Sequence, residues 1–62
     1  MYDDRQREFI KKVTGRDMNF ENLSVDDLCE IEDKVGQYYT QCVMDENFKE
    51  ADRCEEILDN LP

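Results

Sequence analysis

Leu28, Ile31, Val35, Tyr38 and Cys42 recur at spacings of 3, 4, 3 and 4, the clearest period in the chain. Residues so spaced line one face of an α-helix, and the run predicts a helix over about residues 25–44. Ser24 marks its start as an N-cap, and Asp26 and Asp27 follow in the first turn, where carboxylates meet the positive end of the helix dipole. Leu23 is placed to staple onto Leu28 across that cap. Gly36 lies inside the run. A glycine there weakens a helix by about 1 kcal/mol relative to alanine, and it leaves room for a second helix to approach.

Two shorter elements flank this one. Asp3 with Gln6 three residues on forms a capping-box pattern, so a helix is predicted over about residues 3–14. Phe9, Ile10 and Val13 give it an apolar stripe, Lys11 and Lys12 suit its negative C-terminal end, and Gly15 supplies a left-handed stop. So short a helix needs a partner. Residues 15–23 lose the period, but Met18, Phe20 and Leu23 are too apolar for a solvated linker, so an ordered connection pinned to the core is expected.

Beyond the long helix, Met44, Asp45, Glu46 and Asn47 break the period. Asn47 followed by Glu50 repeats the cap-plus-acid pattern. Phe48, Ala51, Cys54, Leu58 and Leu61 then recur at spacings of 3, 3, 4 and 3, with Ile57 widening the stripe. They predict a third helix over about residues 48–60, ended by Asn60 and Pro62. Two amphipathic helices joined by so short a loop pack antiparallel. The expected fold is therefore all-α: one small domain over residues 1–62, a three-helix arrangement built on an antiparallel helical hairpin whose open side the first helix covers.

Composition sharpens this picture. The 40% of charged residues alone would suit a disordered chain, but 39% hydrophobic residues, three Tyr, three Phe, two Gly and one Pro favour a folded one. Sixty-two residues suffice for a single small domain, which buries only about 60% of its unfolded surface. The formal charge of -9 is split unevenly, because Arg5, Arg7, Lys11, Lys12 and Arg16 make residues 1–16 net basic and leave the remainder strongly acidic. Such acidity opposes direct contact with nucleic acid or an anionic membrane. No window of about 18 apolar residues offers a membrane span. Cys29, Cys42 and Cys54 form an odd set without a CxxC spacing, and no basic stretch followed by an apolar run opens the sequence. Reduced thiols in a cytoplasmic protein are expected.

The absence of histidine removes the usual general base, a common zinc ligand and any Cys-His pairing. The cysteines, 13 and 12 residues apart, lack the close ligand pairs of structural zinc sites. Asp45 and Glu46 do not extend into a calcium loop, and no glycine-rich phosphate loop is present. Carboxylates are so frequent that no pair stands out for acid–base work. The expectation is a non-enzyme without a catalytic, cofactor-binding or metal-ligating residue.

Surface patterning remains. Asp26, Glu30 and Asp33, at spacings of 4 and 3, share a face opposite Leu28 and Val35, and Asp52, Glu55, Glu56 and Asp59 form a second row. Like charges so spaced weaken a helix by about 0.2–0.5 kcal/mol per pair. Such rows either keep a small protein soluble or meet a basic partner. Tyr38 and Tyr39 are adjacent and cannot point the same way: one is expected in the core and Tyr39 at its boundary. There a ring with a polar tip either serves a binding hot spot or packs on the first helix. Arg5, Arg7, Lys11 and Lys12 either pair with the acidic hairpin, for about 0–1 kcal/mol per exposed pair, or form a patch for an acidic partner or a second copy.

The stretch from Cys42 to Leu61, CVMDENFKEADRCEEILDNL, resembles the UVR-type helical hairpin of nucleotide-excision-repair and adaptor proteins. Phe48, Glu50, Ala51 and Arg53 after a short acidic turn carry the resemblance, while Cys54 stands where that family has leucine and Glu55 where it has arginine. The resemblance implies a hairpin used for protein–protein contact. In size, acidity and lack of catalytic groups the chain also looks like the small inhibitors of phages and mobile elements, anti-CRISPR proteins and other DNA mimics. The expected function is an inhibitor or adaptor that sets Asp26, Glu30, Asp33, Tyr39, Asp52, Glu55, Glu56 and Asp59 against a basic, nucleic-acid-binding surface of a larger protein. The alternative is a hydrophobic hairpin module or homodimer that uses Tyr39, Val43, Met44 and Phe48, with acidity serving only solubility.

Overall fold

Three local stop-and-start signals divide the chain into three helices: α1 (Asp4–Thr14), α2 (Val25–Met44) and α3 (Phe48–Asp59). The structure is a computed structural model that describes residues 2–61; Pro62, expected to help end the third helix, lies outside them. At the start of α1, Asp3 Oδ1 accepts the Gln6 N–H at 2.8 Å, and Gln6 Oε1 accepts the Asp3 N–H at 3.0 Å. Two otherwise orphaned donors are thereby satisfied. The helix ends at Gly15, whose φ of 73° lies in the left-handed region that a side chain disfavours; its N–H donates to the Lys11 carbonyl at 2.8 Å.

α2 opens on a second capping box. Ser24 Oγ accepts the Asp27 N–H at 3.1 Å, and Asp27 Oδ2 accepts the Ser24 N–H at 3.2 Å. Twenty helical residues extend about 30 Å, so α2 runs most of the 34 Å length of the molecule and forms its spine. Gly36 within it does not mark a close helix approach: a methyl group built there meets nothing within 4 Å.

The turn into α3 is made by Asp45, Glu46 and Asn47. Glu46 takes a φ of 60°, and the Asn47 N–H donates to the Cys42 carbonyl at 2.7 Å. The expected cap at Asn47 does not form. Its ψ of 69° departs from the extended backbone that turns an N-cap side chain back onto the helix. Glu50, its expected companion, is instead held by Lys12 of α1, with Nζ 3.1 Å from Oε1. α3 returns along α2, and Tyr39 Oη donates to Glu55 Oε1 at 3.0 Å between them. α1 lies mainly against α2.

The core joins Phe9 and Ile10 of α1, Ile31 and Val35 of α2, and Cys54 and Ile57 of α3. Cys42 and Ala51 are buried beside them. Full burial of such aliphatic side chains contributes about 1.5–3 kcal/mol each. Met18 and Phe20 are buried in the same cluster and Leu23 packs against it, so the connection between α1 and α2 is anchored as expected. Phe48 departs from the stripe that its spacing assigns to it and stands 60% exposed. Steps of three fall short of a full helical turn, so this first residue of α3 drifts off the stripe of Cys54 and Ile57 and into line with Asp52, Glu55 and Asp59. Tyr2, which no period reveals, is 3% exposed. Its hydroxyl donates to the Ile57 carbonyl at 2.9 Å, and its ring meets Phe20 edge-on at 6.3 Å. Among the described residues no helix is long and apolar enough to cross a membrane.

Candidate partner-binding surface

The two acidic rows fare differently once folded. At the start of α2, Arg16 reaches from the connection and binds two carboxylates, Nη2 to Asp27 Oδ1 at 3.2 Å and Nη1 to Glu30 Oε1. Hydrogen bonds from Ser24, backbone first and hydroxyl second, hold the Asp27 carboxyl below its usual range, and Arg16 adds to the effect. Glu30 in turn pushes the Arg16 guanidinium up. Of the first row, Asp26 and Asp33 are exposed, whereas Glu30 is half-buried and paired. Asp33 accepts from Gln37 Nε2 at 3.3 Å.

Along α3, Asp52, Glu55, Glu56 and Asp59 are all exposed. A turn of 100° per residue places them together on the side opposite Ala51, Cys54 and Ile57. Among the described residues none of the four joins an ion pair. Glu55 alone is tethered, by the Tyr39 hydroxyl. That hydrogen bond and the negative charge of Glu55 raise the Tyr39 phenol above its ordinary value, so it remains a donor at neutral pH. The row also sits badly on its own helix. The last turn of α3 holds no basic residue, so Glu56 and Asp59 face the negative end of the dipole, where carboxylates cost about 0.3–1 kcal/mol each.

The basic first segment pairs internally only in part. Lys12 binds Glu50 and lies 5.8 Å from the Phe9 ring centre and 5.9 Å from that of Tyr38; the Glu50 contact raises its pKa. Arg53 approaches Glu50 Oε2 at 3.9 Å. Arg7 serves structure instead: its Nε donates to the Tyr2 carbonyl at 3.0 Å and its guanidinium lies 5.7 Å from the Phe20 ring centre. Arg5 and Lys11 join no ion pair among the described residues. Both adjacent tyrosines end half-buried at the core boundary. Tyr38 packs on Phe9 of α1 at 5.9 Å, while Tyr39 turns to α3.

Other features offer no competing site. A surface depression of about 520 Å³ is lined by Cys29, Glu32, Asp33, Gly36, Gln37 and Thr40, all from α2, so it has a floor but no second wall. No group of His, Cys, Asp or Glu among the described residues is arranged to hold a metal. Burial pushes the Cys54 thiol up to about 11, which keeps it protonated and unreactive at neutral pH; Cys29 alone of the three is exposed. Met44 is 73% and Val43 41% exposed, beside Phe48 at the same turn. Sequence reasoning missed Arg16 as the cation that pairs with Glu30 of the first row and with Asp27 beside it. Its position right after the Gly15 stop and ahead of the Ser24 cap was the available signal. Comparison with models of known families, with curated proteins and with solved structures returns no match, so the reading of this surface rests on its own geometry.

Proposed function

We propose that this chain is a non-enzymatic protein-binding module, an inhibitor or adaptor, that presents the outward face of α3 to a basic surface on a larger protein. The observation that supports it is the placement of Asp52, Glu55, Glu56 and Asp59 on one exposed face, with no ion pair to any of the four among the described residues. Mutual repulsion and the helix dipole both act against that arrangement. Solubility requires only net charge, which can be spread over positions that do not weaken a helix. Acid gathered where it destabilises is better accounted for by a partner that neutralises it.

In this reading the carboxylates occupy Lys and Arg side chains that otherwise hold phosphates. Their field speeds encounter, and the occupied surface is closed to its nucleic acid. Tyr39 fixes the rotamer of Glu55 and offers an aromatic edge next to the row, while Asp26 and Asp33 extend the negative field along α2. Glu30, neutralised by Arg16, drops out of the contact set. Phage and mobile-element inhibitors that mimic DNA, anti-CRISPR proteins among them, are the functional type this describes.

The test is capture of the partner from the native host, followed by titration of the purified pair at low and high salt. Affinity is expected to fall steeply with salt, and the D52N/E55Q/E56Q/D59N variant to bind at least about tenfold more weakly. An affinity indifferent both to salt and to these four substitutions would remove the proposal.

A further inference from the structure

Phe48, Asp52, Glu55 and Asp59, at spacings of 4, 3 and 4, follow one line down the outward side of α3. The acidic row therefore begins with an exposed aromatic ring. The Tyr39–Glu55 hydrogen bond sets the register of the two helices, and Val43, one turn beyond Tyr39, stands beside the first turn of α3. Val43, Met44 and Phe48, respectively 41%, 73% and 60% exposed, thus flank the turn at one end of the hairpin. Asp45, Glu46 and Asp52 are exposed around them. Between residues 43 and 52 Lys49 is the single cation, and Glu50 is already engaged by Lys12.

We infer that this hairpin tip is the anchor of the docking surface: it seats Phe48 and Met44 in an apolar pocket whose rim carries Lys and Arg on a partner protein. The inference rests on the electrostatic reading above and adds to it what the pocket must contain. Aromatic and Met side chains inside a charged rim are the usual make-up of an interface hot spot. Charge decides the occupant. A second copy docked tip to tip would bring two sets of Asp45, Glu46 and Asp52 together on chains that each carry -9, an arrangement that like-charge repulsion opposes. A basic rim neutralises the same groups while the pocket takes up the apolar side chains.

The probes are an amphipathic helical peptide of Leu and Lys and an oligolysine peptide, each titrated into the isotope-labelled chain and followed by NMR. The Leu/Lys peptide is expected to perturb Val43, Met44 and Phe48 together with Asp52 and Glu55, and to bind at least about tenfold more tightly than oligolysine. The M44S/F48S variant should lose that advantage and keep its oligolysine affinity. Both side chains are exposed, so its melting should match that of the parent; if it does not, Met44→Gln alone carries the same comparison. Equal binding of the Leu/Lys peptide to parent and variant would overturn the anchor. So would concentration-dependent shifts of Val43, Met44 and Phe48 in the protein alone, which would make a second copy the occupant. Failure of the electrostatic reading looks different: oligolysine would then leave residues 52–59 undisturbed.

Discussion

At the start of α2, Asp27 completes a capping box with Ser24, and Arg16 binds both Asp27 and Glu30. Along the outward face of α3, Asp52, Glu56 and Asp59 have no such partners among the described residues, where Glu55 has only the Tyr39 hydroxyl. The two regions are similarly acidic in sequence. One uses its charge to hold a helix end in place, and the other carries charge that its own helix resists. The difference shows that net charge says little about function until each carboxylate is matched with its partner.

The largest effect expected separates the inner face of α3 from the outer. Ile57→Ala removes a side chain that is 1% exposed and should cost about 2–5 kcal/mol, whereas Phe48→Ala should change stability by no more than about 0.5 kcal/mol. Urea denaturation of both variants measures this, and equal losses would mean that Phe48 belongs to the core after all.

A smaller effect compares the two helix starts. Ser24→Ala breaks a formed capping box and should cost about 1 kcal/mol, while Asn47→Ala, where no side-chain bond exists, should cost only a few tenths, about 0.3 kcal/mol. Smaller again is the response to removing charge. D52N/E55Q/E56Q/D59N should leave the chain as stable as the parent or up to about 1 kcal/mol more so, as repulsion and dipole conflict are relieved. Asp27→Asn with Glu30→Gln should lower the melting temperature. Opposite signs support the contrast between the regions, and two losses would break it.

The smallest effect depends on pH. Because Asp27 is held below its ordinary value of 3.8, its contribution is complete above that value and is lost as acid protonates it through its lower folded value. Stability should therefore decline more steeply below pH 3.8 in the parent than in Asp27→Asn. Parallel acid limbs in the two proteins would mean that the Ser24 and Arg16 contacts do not favour the charged carboxylate.

α1 and α2 were legible in the sequence because period and cap agreed there, and α3 by its period, since its expected Asn47 cap does not form. Ser24 with Asp27, Asp3 with Gln6, and Gly15 each name a local geometry that needs no tertiary context. Met18 and Phe20 were legible as buried by being apolar without a period. Tyr2 was not, since it precedes the first cap and is buried by partners distant in sequence, the Phe20 ring and the carbonyl of Ile57, 55 residues later. An apolar residue just before a capping box was the available hint. Phe48 misled because a spacing of three drifts around the helix, which carries its first residue off the buried stripe and into line with Asp52, Glu55 and Asp59. Of the candidate surface, the α3 row and Tyr39 could be drawn from spacing. The loss of Glu30 to Arg16 could not, because it depends on how the connection folds back.

The most direct test of the contrast is an NMR titration of the parent chain with oligolysine at two ionic strengths. At low salt the shifts should concentrate on Asp52, Glu55, Glu56 and Asp59, leave Asp27 and Glu30 almost unmoved, and fade as salt is added. Shifts of Asp27 and Glu30 equal to those along α3, or shifts that persist in high salt, would contradict the claim that α3 carries the free, partner-directed charge.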